Sequence, residues 1–311
     1  MSGMNPVQTD VSLAPHTTFR IGGAAAYFVE VKTEDELREA LAWAKEKGTA
    51  WAILGGGSNV LASDNGFDGL VIHVTSDAMR IEGTTVTIDA GRNLLQTIRD
   101  AAAQGLSGWE KLAGIPGTIG GAARGNAGAF GSEMKDFVTS VRAFDAETGE
   151  IREFANAECA FAYRNSFFKH HPRWIITHVQ VRLAHVEKEK IDKSIEVTIA
   201  EREKRHLQNV RAAGSYFTNP VAPADIVEMF EKEKGVASRE SRVPAGWLIE
   251  KAGFKGATLG GAQSSMQHPN YLVNASGNAT AAEVRELADT IKEAVREQFG
   301  IELIEEAAFL G

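Results

Sequence analysis

Two glycine-rich segments constrain this chain more than anything else in it: residues 54–61, reading LGGGSNVL, and residues 114–131, reading GIPGTIGGAARGNAGAFG. Glycine takes positive φ without steric penalty and has no Cβ, so consecutive amides can turn toward one anion. The apolar run 50–54 reads as a strand, and Gly55, Gly56 and Gly57 follow it directly, at a strand end that suits a ligand-facing turn. Ser58 and Asn59 add short polar side chains that can cap a helix or donate to phosphate oxygens. In the second segment Pro116 fixes φ and removes a donor, while Gly117, Gly120 and Gly121 leave the backbone open to close approach. That stretch is too long and too glycine-rich to be only a hairpin. Together the two segments can grip a pyrophosphate.

Neither segment fits the common nucleotide fingerprints. The first lacks the Lys-Ser/Thr pair of a Walker loop and the GxGxxG spacing that opens a dinucleotide-binding helix. The chain has 311 residues, 43% hydrophobic and 24% charged, enough for two or three domains with separate cores. A net charge of -8 argues against a nucleic-acid partner, which selects for a basic excess or stripe. Cys159 is the single cysteine, so an internal disulfide and a cysteine-built zinc site are both excluded. The first residues have neither a basic start nor an apolar core, and no run of roughly 18 apolar residues occurs. Membrane insertion is therefore not expected, and the expected compartment is the cytoplasm. No metal is expected either: the eight histidines form no ligand pattern, and His170 with His171 reads as a solvated loop beside Pro172.

Along the chain, residues 33–48 read as an amphipathic helix with a Thr33–Glu36 capping box, Leu37, Ala40, Leu41 and Ala44 on one face, and Gly48 as the stop. Between strands at 27–31 and 50–54 it makes a βαβ unit. Residues 93–105 repeat the pattern, with Leu94, Leu95, Ile98 and Ala102 inward. From 138 to 154 two strand-like runs flank residues 146–149, and residues 174–183 alternate with Ile175, Thr177, Val179, Val181 and Leu183 on one face. Residues 187–208 place Ile191, Ile195 and Ile199 at four-residue spacing, a one-sided helix ending near a linker, and the last domain boundary is set near 205. The final segment has a helix over 280–299 with a Thr280–Glu283 capping box, then Gly300 and a terminal strand.

Six strings carry a resemblance: TFRIGG at 18–23, GGGSNVL at 55–61, GIPGTIGGAARGNAG at 114–128, YRNS at 163–166, GSYFTNP at 214–220 and HPNYLVN at 268–274. In their order and spacing, over nearly the whole chain, they resemble the UDP-N-acetylenolpyruvoylglucosamine reductase (MurB) family. Each string alone is weak, and six in order make coincidence a poor explanation. The resemblance implies an α+β fold containing α/β elements. It consists of a PCMH-like FAD-binding module over residues 1–204, with subdomains of about 1–73 and 74–204, followed by a separate α/β substrate-binding domain over 205–311.

The reaction the resemblance implies is reduction of UDP-N-acetylglucosamine-enolpyruvate to UDP-N-acetylmuramate, with FAD as cofactor and NADPH as hydride-donating cosubstrate, in peptidoglycan precursor synthesis. Hydride addition at the terminal vinyl carbon leaves negative charge on the adjacent carbon and its carboxylate. Preorganised donors aimed at such charge are each worth roughly 3 kcal/mol of barrier. On the matching motifs, Arg164 of YRNS is the carboxylate-binding cation. Ser215 of GSYFTNP is the proton donor, and Glu306 of the terminal LIEEAAFLG is the acid, with Glu305 as the alternative register and Ala307 standing where the family usually has valine. The flavin-binding set is Gly55, Gly56, Gly57, Ser58, Asn59, Val60, Leu61, Gly114, Ile115, Pro116, Gly117, Ile119, Gly120, Gly121, Asn126, Ala127 and Gly128. Tyr163, Asn219 and Lys251 match positions that contact the nucleotide sugar or diphosphate.

Family members divide by an inserted loop carrying a substrate-clamping tyrosine. No tyrosine lies between Tyr163 and Tyr216, which fits the loopless type, yet the span 220–244 is longer than in the most compact loopless members. Two other readings stay open at this point: another PCMH-type FAD oxidoreductase sharing only the cofactor architecture, and a non-catalytic flavin-binding relative.

Overall fold

A computed structural model of the chain describes residues 3–204 and 210–311. The chain forms two compact units. The first comprises Met1–Val11, Ala25–Gly57 and Phe67–Lys204; the second comprises Ser12–Ala24, Ser58–Gly66 and Arg205–Gly311. The second unit thus recruits two stretches that the sequence reading places inside the flavin module.

In the first unit, helix Glu34–Lys47 starts where Thr33 accepts the Glu36 N–H at 3.1 Å and stops at Gly48, φ 65°. The expected capping box is displaced by one residue: the Glu36 carboxylate takes the Lys32 N–H at 2.6 Å. Leu37, Ala40, Leu41 and Ala44 are buried against Val29, Val31, Leu70 and Ile72. The flanking strands Ala24–Val31 and Ala50–Leu54 are not neighbours. Strand Phe67–Val74 lies between them, parallel to both, in a four-stranded sheet completed by Gln8–Ser12.

A second sheet runs in the order Ile151–Ala155, Val138–Asp145, Trp174–Arg182, Thr85–Asp89, Met79–Glu82, all antiparallel. The expected single-face alternation of residues 174–183 breaks. Pairing shifts between Arg142–His178 and Ala143–Ile176, a bulge that reverses which side chains face which core. Ile175 packs with Phe144 under the parallel sheet, while Ile176, Val179 and Val181 pack with Leu94, Ile98 and Trp109. Helix Leu94–Ala103, capped by Asn93, supplies that second core, as does helix Lys188–Lys204 through Ile191 and Ile195. The expected continuation of this last helix to Gln208 lies outside the described residues. Cys159 is buried in the same core, and burial, followed by the nearby Glu158 charge, pushes its thiol up to about 12. His170 and His171 are exposed as expected, but His170 ends the short helix Phe167–His170, and the His171 ring stacks on Phe167 at 3.9 Å with Nδ1 2.8 Å from the Phe167 carbonyl.

The second unit is built on helix Ala281–Phe299, which has the full Thr280–Glu283 capping box and ends at Gly300, φ 65°. Asp64 caps the same end, accepting the N–H groups of Ala281 at 2.7 Å and Ala282 at 2.9 Å. The helix buries Val284, Leu287, Ile291 and Val295 with Phe19, Leu61, Leu248 and Leu272. A three-stranded antiparallel sheet covers Thr258–Leu259, Ala262–Ser264 and Leu272–Asn274. The terminal strand Ala308–Leu310 pairs parallel with Val60–Ala62. Ser58 and Asn59 therefore lead into a strand and cap no helix.

Candidate active site

In the first unit, Gly55 and Gly56 lie against Thr118 and Gly117 of the second glycine segment. A Cβ on Gly55 would stand 2.7 Å from Thr118 Oγ1, and one on Gly56 would stand 3.0 Å from Gly117 Cα. Gly57, Gly114 and Gly117 have φ of 59°, 85° and 114°, conformations closed to most side chains. The second segment is not loop throughout. Residues Ile119–Arg124 form a short helix whose N-cap, Thr118, accepts the Gly121 N–H at 3.4 Å. This helix is tied to residues 90–94 by Gly120 N–H to Ala90 O at 2.8 Å, Ile119 N–H to Arg92 O at 2.9 Å and Leu94 N–H to Gly117 O at 3.1 Å. A Cβ on Gly120 would come 2.7 Å from Ala90 Cβ, so a glycine is needed there for the helix to pack against residue 90.

Of the other expected flavin contacts, Leu61 and Ile119 bury their side chains in cores and Ile115 and Ala127 pack against one, while the N–H groups of Ile115, Ile119 and Ala127 donate to Leu112 O, Arg92 O and Ala122 O. Asn126 is fully buried with φ 43°, and its amide is committed: Nδ2 donates to Glu133 Oε2 and to Ala162 O, each at 2.9 Å, while Oδ1 accepts the Lys135 N–H at 3.0 Å. It orders the end of the segment. Arg164, φ 53°, donates through Nη2 to Gly128 O at 3.0 Å, and its guanidinium lies over the Tyr163 ring at 5.3 Å. Ser166 Oγ, donating to Arg124 O at 2.7 Å, and Lys169 Nζ, donating to Arg164 O at 3.1 Å, hold the YRNS turn against the same segment.

In the second unit, Ser215 is half-buried between Gly214, φ 73°, and the buried pair Tyr216 and Phe217. The chain here pairs with the C-terminal residues: Glu306 N–H donates to Tyr216 O at 2.8 Å, Thr218 N–H donates to Ile304 O at 2.9 Å, and Phe217 lies opposite Glu305. Asn59 grips the next step, with Nδ2 donating to Glu306 O at 3.0 Å and its own carbonyl accepting the Ala308 N–H at 2.9 Å. The two candidate carboxyls are distinct. Glu305 Oε1 sits 3.3 Å from Lys292 Nζ, whereas Glu306 lies opposite Tyr216, the residue next to Ser215.

The expected substrate anchors have intramolecular roles. Asn219 Oδ1 accepts the Ala245 N–H at 3.0 Å, at the start of helix Ala245–Lys251. Lys251 Nζ lies 2.6 Å from Glu233 Oε2. Lys251, then Lys234, hold the Glu233 carboxyl down at about 2. Among the described residues no three His, Cys, Asp or Glu side chains converge as a metal-ligand group, and no helix is long and apolar enough to cross a membrane.

Comparison with known proteins decides the family. Residues 205–310 match the C-terminal domain of UDP-N-acetylenolpyruvoylglucosamine reductase, and residues 25–155 match an FAD binding domain. The UDP-N-acetylenolpyruvoylglucosamine reductase of Solibacter usitatus (strain Ellin6076) is 38% identical over 316 residues, covering 98% of this chain and 97% of that one. The chain belongs to the UDP-N-acetylenolpyruvoylglucosamine reductase family. The Pseudomonas putida (strain KT2440) member is 36% identical over 329 residues, with 95% and 96% covered. The crystal structure of the Thermus caldophilus family member superposes with a TM-score of 0.78 at 31% identity, covering 98% and 99% of the two chains.

Four residues with clear structural parts in this family member escape a reading of the sequence: Thr118, Glu133, Asp64 and Asn270. Thr118 had a usable signal, a Thr just before an apolar helical stretch. Glu133 and Asp64 had none, because their partners become neighbours only on folding. Asn270 lay inside a recognised string, HPNYLVN, with nothing to show what it holds.

Proposed function

We propose that this chain reduces UDP-N-acetylglucosamine-enolpyruvate to UDP-N-acetylmuramate, oxidising NADPH through FAD, in the cytoplasmic supply of peptidoglycan precursors. Family membership over the full length supports the reaction. The observation in the fold that carries the site is the pairing of Glu306 with Tyr216, which sets a carboxyl-bearing residue opposite the neighbour of Ser215.

The glycine segments fit a pyrophosphate-bearing cofactor, because their side-chain-free main chain stays open to close approach where a Cβ at Gly55 or Gly56 would crowd Thr118 or Gly117. Gly55, Gly56, Gly57, Gly114 and Gly117 hold FAD through main-chain N–H groups. Bound there, FAD would supply the means of passing hydride from NADPH to the vinyl carbon. The chain's own groups manage the charge and the proton. Arg164, already fixed by the Gly128 carbonyl, binds the substrate carboxylate on which negative charge develops. Ser215 gives its proton to the carbon next to that carboxylate, with Glu306 as the acid of the site.

Lys251 binds the diphosphate after exchanging partners. Its ion pair with Glu233 competes with substrate, since the Glu233 carboxyl stays ionised across the whole neutral range. Glu233→Gln is expected to lower the KM for the nucleotide substrate roughly two- to five-fold, the scale of a solvent-exposed ion pair, with kcat unchanged. An unchanged KM would take Lys251 out of the substrate site.

The whole reading is tested by one anaerobic experiment. Purified yellow protein should lose its visible flavin absorbance on adding NADPH and regain it on adding the enolpyruvyl substrate. Absorbance that recovers only with oxygen would point to an oxidase and overturn the proposal.

A further inference from the structure

Ser215 can protonate carbon only if its hydroxyl is held at one place, and the residue before it does not hold it. Gly214 has φ 73°, and a Cβ there would meet nothing within 4 Å. The restraint comes from the two residues after it. Tyr216 N–H donates to Asn270 O at 2.7 Å, Phe217 N–H donates to Asn270 Oδ1 at 2.9 Å, and Asn270 Nδ2 donates to Phe217 O at 2.8 Å. With the Glu306 N–H on Tyr216 O, all four main-chain polar groups of residues 216 and 217 are engaged, three of them by one side chain and its own carbonyl.

Asn270 is 2% exposed, so these bonds are shielded from competing water. The turn that presents it is also fixed: Ser264 Oγ, fully buried, donates to Pro269 O at 2.9 Å, and Tyr271 N–H donates to His268 O at 2.8 Å. A primary amide is needed because the two contacts on Phe217 have opposite polarity, one acceptor and one donor in one plane.

We infer that Asn270 is a positioning residue for proton transfer, acting through Ser215 by clamping residues 216 and 217. This rests on Ser215 being the proton donor. Asn270→Asp has the same shape and keeps the acceptor for the Phe217 N–H, but it replaces the donor with an oxygen facing the Phe217 carbonyl. The clamp opens on one side.

The test measures turnover, the rates of flavin reduction by NADPH and reoxidation by substrate, and the solvent deuterium isotope effect. For Asn270→Asp, kcat should fall roughly 10- to 100-fold, the scale of a small misplacement of a reacting group, with KM and both flavin rates close to the parent's. The isotope effect on kcat should rise as the proton step becomes limiting. In a Ser215→Ala background the same change should cost almost nothing further, because the group it positions is gone.

Asn274→Asp is the control. Asn274 is also buried, with Nδ2 donating to Phe19 O at 3.2 Å and Oδ1 accepting the Ala279 N–H at 3.0 Å, but it does not touch residues 216 or 217 through these bonds. It should lower the melting temperature without raising the isotope effect. Should Asn270→Asp fail to fold, Ser264→Ala loosens the same turn more gently and should give a smaller loss of kcat with the same rise in isotope effect. Equal losses in the parent and Ser215→Ala backgrounds, or an isotope effect that does not move, would overturn the inference while leaving Ser215 in its role. Normal turnover by Ser215→Ala alone would remove that role and the inference with it.

Discussion

Ser215→Ala protein is expected to purify yellow, to accept hydride from NADPH at the parent rate, and to turn over roughly 10²- to 10⁴-fold more slowly, the usual worth of a positioned proton donor. The serine is half-buried at the surface of the second unit's core, so its loss creates no cavity and the melting temperature should hold. Separating the steps decides the role. Flavin absorbance followed anaerobically reports hydride movement in both directions, while product formation reports completed reduction. Retained flavin chemistry with blocked product places the defect at the carbon's proton. Turnover close to that of the parent protein would assign the proton to another group.

The second large effect concerns the cradle, and here the structure separates two glycines that look alike in the sequence. A Cβ at Gly56 meets the second glycine segment, with Gly117 Cα at 3.0 Å, the Gly117 carbonyl carbon at 3.4 Å and Thr118 Cγ2 at 3.5 Å. Gly56→Val should therefore fold but lose most of its FAD, read as the flavin-to-protein ratio after dialysis. Gly120 instead packs on the strand side, with Ala90 Cβ at 2.7 Å and Ala90 O at 3.1 Å from a built Cβ. Gly120→Val should destabilise the first unit by about 1–3 kcal/mol or more through overpacking, with flavin loss a consequence of poorer folding. Melting curves of the apo-proteins distinguish the two mechanisms. Full flavin occupancy in both variants would end the case for main-chain pyrophosphate binding.

The residues that could be read in advance share a property. Thr33, Gly48, Thr280, Glu283 and Gly300 act within one turn of where they stand, so their parts follow from local spacing. The places where the reading failed are equally consistent. The Glu36 half of the expected capping box goes to Lys32, a shift of one residue that propensity does not resolve. The alternation of residues 174–183 breaks at a bulge that depends on the register of Val138–Asp145. The internal partners of Asn126 and Lys251 were likewise not visible in advance, because no motif displays the contacts a side chain makes across the fold.

From the sequence by itself came the helices, the glycine segments, the likeness to a flavin reductase family and the identity of its candidate chemical groups. All of these are written in short runs, where periodicity, caps and strings of matching residues survive without knowledge of the fold. Only the tertiary structure decided that residues 12–24 and 58–66 join the C-terminal unit, that Asp64 caps a helix 217 residues away, and that Asn59 holds Glu306 across 247 residues. Hydrogen bonds of that separation depend on which strands become neighbours. That choice is made by burial of the whole chain, and no local window contains it.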